Sequence, residues 1–268
     1  MKLSRLTATL GAFVVGAVLA LTGAGAAHAT GQSAGPAYVA LGDSYSSGVG
    51  AGSYDSASGA CKRSTKAYPA LWAAAHSPSS FAFTACSGAK TGDVLSGQLG
   101  PLNSATGLVS ISIGGNDAGF ASVMTTCALS GESGCLNAVA NARTYAENTL
   151  PGKLDQVYDA ISAKAPSAQV VVLGYPRFYK LNGSCFLGLS EASRAAINNA
   201  ADLLNSVTAK RAADHGFAFG DVTPTFTGHE ICSGSAWLNS VTFPIEESYH
   251  PTAAGQSGGY LPVFTAAA

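Results

Sequence analysis

The stretch Tyr38-Val39-Ala40-Leu41-Gly42-Asp43-Ser44-Tyr45-Ser46-Ser47-Gly48 decides how this chain is read. Its aromatic and β-branched start reads as a buried strand, and Gly42 ends that strand in a turn that needs a small residue. Ser44 then stands at the strand's C-terminal edge, just before a helix. Its own backbone N–H points toward the helix N-terminus, where developing negative charge is stabilised. A nucleophile for acyl transfer belongs at such a place. Taken alone, Asp43 and Ser44 read more readily as turn and N-cap residues, so the rest of the chain has to decide.

The same pattern, a strand delivering polar groups to its C-terminal end, recurs twice. Phe81 to Thr84 reads as a second strand and runs into Cys86-Ser87-Gly88-Ala89-Lys90-Thr91-Gly92. Leu108 to Ile113 reads as a third and ends in Gly114-Gly115-Asn116-Asp117. Gln169-Val170-Val171-Val172-Leu173, running on to Gly174-Tyr175-Pro176, is the plainest strand of all. Its unbroken apolar run predicts burial on both faces, as in a parallel sheet. Phe217 to Val222 supplies a fifth strand. Helical patterns cover Ala67–His76, Leu136–Lys164 with a break at Pro151, and Ser190–Asp214, and Pro251-Thr252 opens a last helix. Val49 to Lys66 reads as loop, and the alanine-rich end after Phe264 as frayed. Strands alternating with helices predict a three-layer α/β/α sandwich around a mainly parallel five-stranded sheet. In such sheets sites lie beyond the carboxyl ends of the strands, which is where Ser44, Gly88 and Asn116 all fall.

Residues 1–29 read as a secretory signal peptide. Lys2 and Arg5 precede the apolar run Leu10–Leu21, and Ala27-His28-Ala29 has the small-x-small cleavage pattern. Residues 30–268 then form a single domain. Charge is sparse, with 14 Lys and Arg against 15 Asp and Glu, so no basic surface invites nucleic acid. No later segment has the roughly 20 apolar residues of a bilayer span. All six cysteines follow the signal, which in an oxidising compartment favours three disulfides, and the lack of a CxxC pair removes support for a metal site. Six cysteines allow 15 pairings and the sequence does not choose among them. Pairing of neighbours in chain order is the working expectation: Cys61 with Cys86, Cys127 with Cys135, and Cys185 with Cys232. The second bridge would close a loop over Ser130–Gly134.

A nucleophile needs a base. His28 goes with the signal, His76 and His215 read as helix-end residues, and His229 lies in a Gly-His-Glu turn. His250 is the stronger candidate, in Glu246-Glu247-Ser248-Tyr249-His250-Pro251-Thr252.

Gly42-Asp43-Ser44-Tyr45, Gly88, Gly114-Gly115-Asn116-Asp117 and His250-Pro251-Thr252 occur in the order and spacing of the four blocks of the GDSL or SGNH hydrolase superfamily. The mature chain resembles its secreted actinobacterial lipases, esterases and phospholipases A. That resemblance implies the flavodoxin-like sandwich and a serine ester hydrolase acting on lipid or small ester substrates. Ser44 would be the nucleophile and His250 the general base. The backbone N–H groups of Ser44 and Gly88, with the Asn116 amide, would form the oxyanion hole. Many members carry aspartate three residues before the histidine, where this chain has Glu247. The favoured orienting group for His250 is therefore the Ser248 backbone carbonyl, with the Glu247 carboxylate as the alternative. The resemblance also implies no cofactor, no metal, and a secreted monomer in transient contact with a lipid interface. Asp43 and Asp117 read as turn-shaping acceptors. Two other readings stay open: a carbohydrate-ester deacetylase with the same machinery, and a non-catalytic secreted binding protein.

Overall fold

The computed structural model describes residues 35–268 except Ser184, Phe186 and Leu187, so the expected signal peptide lies outside the described residues. Five strands, β1 (Gly35–Gly42), β2 (Pro78–Phe83), β3 (Thr106–Ser112), β4 (Gln169–Leu173) and β5 (Ala218–Gly220), pair in the order β2-β1-β3-β4-β5. Every pairing is parallel. The register sets Val39 beside Val109, Leu41 beside Ile111 and Gly42 beside Ser112, so the ends of β1 and β3 lie level.

β1 and β4 are buried on both faces, as their unbroken apolar runs require. Tyr38, Ala40, Val171 and Leu173 face one apolar cluster, and Val39, Leu41, Val170 and Val172 face the other. The first cluster takes Tyr68 and Trp72 of helix α2 (Tyr68–His76), which follows the one-turn α1 (Ser44–Ser47). The second takes Leu150, Leu154, Val157 and Ile161 of helix α6 (Leu150–Lys164), at helical spacing. Full burial of each such side chain is worth about 1.5–3 kcal/mol, so this helix forms with Pro151 in its first turn and without a side-chain cap.

Between them come the three-residue α3 (Thr91–Asp93), α4 (Phe120–Leu129) and α5 (Gly131–Asn148). The helix α7 (Glu191–Asp214) begins at the Ser190 cap, whose hydroxyl accepts from the Ser193 N–H. The short α8 (Thr223–Phe226) and the terminal α9 (Leu261–Ala267) complete the chain.

Three local expectations are corrected. Ser130–Gly134 is not a loop: α4 ends at Leu129 and α5 begins at Gly131, so the Cys127–Cys135 bridge ties two consecutive helices together. The C-terminus after Phe264 remains helical to Ala267, because buried Phe264 packs on Tyr38, Tyr68 and Trp72. The loop 49–66 contains a short 3-10 turn over Ser56–Cys61. Cys61 is bonded to Cys86 and Cys185 to Cys232, so all three bridges join neighbours in chain order. Among the described residues, no helix is long and apolar enough to cross a membrane, and no three His, Cys, Asp or Glu residues cluster as a metal site would need.

Candidate active site

Gly42 has φ +123°, and a Cβ there would lie 2.5 Å from the Ser112 carbonyl oxygen, so only glycine passes between β1 and β3 at this point. Buried Gln98 brackets the same peptide, accepting from the Gly42 N–H at 2.7 Å and donating to the Gly42 carbonyl at 2.9 Å. Asp43 caps α1. Its carboxylate accepts from the Tyr45 N–H at 3.0 Å, the Ser112 hydroxyl at 2.8 Å and the Tyr175 hydroxyl at 2.5 Å. Burial pushes the Asp43 carboxyl up to about 6, against the pull of its donors. Ser44 is thereby held at the first position of a helix turn, only 6% exposed.

His250 reaches Ser44 from the far end of the chain, with Nε2 2.7 Å from the Ser44 Oγ. Its Nδ1 lies 2.9 Å from the Ser248 carbonyl oxygen. A carbonyl only accepts, so the neutral ring carries its proton on Nδ1 and offers the Nε2 lone pair to the serine hydroxyl. The segment is pinned on both sides. Leu238 pairs with Pro251 in an antiparallel bridge, the Asn239 N–H donates to the His250 carbonyl at 2.9 Å, and the Tyr45 hydroxyl donates to the Tyr249 carbonyl at 2.7 Å. Loss of water around the imidazole pulls it down from the usual 6.5 to about 4, partly opposed by the Ser248 carbonyl.

The Glu247 carboxylate is directed elsewhere. It accepts from the Tyr54 hydroxyl at 2.8 Å, and that hydroxyl accepts from the Gly50 N–H at 2.9 Å. Of the two expected orienting groups for His250, the Glu247 carboxylate faces Tyr54 and the Ser248 carbonyl lies within hydrogen-bond reach of Nδ1. Glu246 pairs with Lys62 at 2.6 Å on the surface.

Gly88 has φ +75°, a left-handed conformation that favours glycine. Asn116 donates through Nδ2 to the Ala89 carbonyl at 3.0 Å, which links the β3 end to the loop carrying Gly88. A primary amide has two N–H donors, and the second remains for a ligand. Asp117 strengthens the same link by accepting the Thr91 N–H at 2.9 Å and the Thr91 hydroxyl at 2.6 Å. Both aspartates therefore shape turns.

Ser44 and Asn116 share the wall of a cleft of about 720 Å³, its open mouth included. Its far walls are apolar, drawn from α4 (Phe120, Met124), α5 (Val139, Ala146) and α7 (Ile197, Leu204). The arrangement can present an ester carbonyl to a hydroxyl–imidazole pair and sheath a long apolar substituent. The remaining histidines have other work. His76 caps the Trp72 carbonyl at 2.9 Å, His215 caps that of Arg211 at 2.8 Å, and His229 stacks on Trp237 with ring centres 3.6 Å apart. Tyr175, Ser112 and Gln98 went unnoticed in the sequence. Only Tyr175 left a trace there, in the Gly-Tyr-Pro that closes the plainest strand.

A hydroxyl–imidazole pair at the carboxyl edge of a parallel sheet is the constellation of a serine hydrolase. Residues 40–257 match the model of the GDSL-like lipase/acylhydrolase family, and the chain belongs to that family. It is 69% identical to a lipase of Streptomyces rimosus, with all of both chains aligned. The crystal structure of the extracellular lipase from Streptomyces rimosus superposes with a TM-score of 0.86 at 73% identity, covering 87% of this chain and all of that one. That of phospholipase A1 from Streptomyces albidoflavus also gives 0.86, at 69% identity, covering 88% and all of the respective chains.

Asp43→Ala should strand three buried donors at a cost of about 1–3 kcal/mol each before relaxation, lowering the unfolding free energy by about 2–5 kcal/mol. Equilibrium denaturation in urea measures this, and an unchanged midpoint would contradict the carboxylate's role in holding the site together.

Proposed function

We propose that this protein is a secreted hydrolase of lipid carboxylic esters, working through an acyl-enzyme on Ser44. The observation that carries the proposal is the 2.7 Å contact between the Ser44 Oγ and the His250 Nε2, with Nδ1 capped by a carbonyl. In this reading the Ser44 Oγ attacks the ester carbonyl carbon while its proton passes to Nε2. The oxyanion so formed is met by the N–H groups of Ser44 and Gly88 and the side-chain amide of Asn116. The imidazolium then protonates the departing alcohol, and water repeats the sequence on the acyl-enzyme. Ser248 supplies the acceptor for Nδ1–H and so holds the ring in the right tautomer. No cofactor or metal enters any step.

Two supports favour lipid over sugar esters. The cleft beside Ser44 is walled by aliphatic and aromatic side chains that suit an acyl chain, and the similar full-length proteins bear the names lipase and phospholipase A1. A deacetylase needs room only for a two-carbon acyl group and a polar surface for the sugar. A non-catalytic reading leaves the pairing of nucleophile and base without a purpose. Secretion rests on the leader-like residues 1–29, the three bridges, and the extracellular lipase it resembles.

Ser44→Ala is expected to abolish hydrolysis of a nitrophenyl ester with the circular dichroism spectrum intact, and Asn116→Ala to reduce turnover by about 10²–10³. Full activity in Ser44→Ala would end the proposal. Glu247→Gln should lose less than about tenfold in turnover, whereas disturbing the tautomer in a Ser-His-Asp enzyme costs about 10⁴; a loss of that size would restore the carboxylate as orienting group. Because the base is the neutral imidazole, activity is present above its pKa and lost as pH falls through it. The acid limb of kcat/KM should therefore lie below the 6.5 of a free imidazole, with protonation of the site-holding Asp43 near 6 contributing to the same fall; a midpoint above 6.5 would contradict an imidazole lowered by burial.

A further inference from the structure

Between Asn239 and His250 the chain leaves the layers of the sandwich and returns to the catalytic pair. Within five residues of this excursion, Val241 is 59% exposed, Phe243 89% and Ile245 59%. Single exposed apolar residues need no explanation, but three large ones side by side on one loop mark a surface made to be covered. The loop is not loose at its base. The Thr242 N–H donates to the Ser248 hydroxyl at 2.9 Å, and Asn239 donates to the carbonyls of Gly50 at 3.2 Å and Glu247 at 3.3 Å. Its two acids are already engaged, Glu246 with Lys62 and Glu247 with Tyr54. The apolar tip is thus held outward on a charge-compensated stem.

Ser248 joins the two functions of the loop. Its hydroxyl braces Thr242, beside Phe243, while its carbonyl accepts from the imidazole that faces Ser44. Next to it Tyr249 lies edge-on to Phe120, which lines the apolar cleft, with ring centres 6.4 Å apart. The exposed loop is therefore continuous with the rim of the site. Anionic membranes are recognised by clusters of Lys and Arg. Here, without Lys2 and Arg5 of the expected leader, 12 of the 14 Lys and Arg remain against 15 Asp and Glu, a formal charge of −3, and the loop offers no free cation, so the surface it complements is not an anionic one.

We propose that the 241–245 loop docks the enzyme on a zwitterionic phospholipid surface by inserting Phe243 and Ile245 beside the cleft mouth. This rests on the lipid-ester reading of the site. Interfacial binding of this kind scales with buried apolar area. Replacing both side chains by serine removes enough of that area for at least about a tenfold loss of partitioning.

The test uses the full-length mature chain. Binding is measured by cosedimentation with phosphatidylcholine vesicles on Ser44→Ala and on Ser44→Ala/Phe243→Ser/Ile245→Ser, so that no lipid is consumed. Hydrolysis of a soluble short-chain nitrophenyl ester and of the vesicles is measured on the wild type and on Phe243→Ser/Ile245→Ser. The expected result is vesicle binding by Ser44→Ala, weakened at least about tenfold in the triple variant. Soluble-ester turnover should stay within about twofold while vesicle hydrolysis falls about tenfold or more. The proposal is overturned by equal sedimentation of the two Ser44→Ala proteins, or by no sedimentation of either. It is also overturned by an equal fall on both substrates, which would make the loop a brace for His250. A switch from dimer to monomer by light scattering would overturn it too, since the face would then pair two copies. A wild type inactive on every ester would sink the hydrolase reading, while sedimentation of the Ser44→Ala proteins still decides docking.

Discussion

One buried carboxylate holds the candidate site together. Asp43 sits at the end of β1 and accepts from the turn after it, from β3 through Ser112, and from the segment after β4 through Tyr175. Tyr175 in turn accepts from the Gly115 N–H at 3.2 Å, so the nucleophile turn and the Asn116 turn share a single anchor. Burying a carboxylate is costly unless it is fully hydrogen-bonded, and the rise of its pKa to about 6 shows that the cost is only partly offset. A sheet that needed only to be stable would place a leucine there. The charge instead lets one side chain tie the ends of β1 and β3 and the segment after β4 together.

Much of this was legible in the residues. Apolar runs marked β1, β3 and β4 as buried strands, the unbroken one in β4 announced cover on both faces, and the polar groups after β1 and β3 had to share an edge once the sheet was parallel. What stayed hidden was the layer of buried amides behind them. Gln98 brackets Gly42, Asn205 both donates to and accepts from the Tyr175 backbone, Asn198 does the same at Tyr179, and Gln256 joins Tyr45 to Tyr68. Each lies on a helix or turn whose local pattern gives no reason to bury an amide, and each partner is at least 19 residues away. Helix α4 was missed because it begins beyond the Gly114–Gly119 turn without a side-chain cap, and its ordering depends on the bridge to Cys135 and on packing against α5. The helical C-terminus likewise depends on where Phe264 lands, which alanine-rich composition cannot foretell.

Orienting a histidine by a backbone carbonyl has a chemical consequence. A carboxylate would hold the tautomer and also stabilise the imidazolium by a full charge, whereas the Ser248 carbonyl does the first and supplies only a dipole for the second. Desolvation therefore leaves the His250 pKa depressed, and the Ser248 carbonyl raises it again only in part. A less basic imidazole takes the serine proton less readily, but it stays neutral over a wider range of pH. In the proposed mechanism the burden of transition-state stabilisation then falls on the Ser44, Gly88 and Asn116 donors, and the Asn116 turn is tied to the Gly88 loop through Ala89 and Thr91.

The most direct test is covalent. An irreversible phosphonate ester that mimics the tetrahedral intermediate, incubated with the mature protein and followed by peptide mapping, reports which atom is the nucleophile. The account predicts one phosphonyl group per chain, attached to the Ser44 Oγ and absent from a His250→Ala variant. A folded protein that stays unlabelled, or that carries its adduct on any other residue, would contradict it.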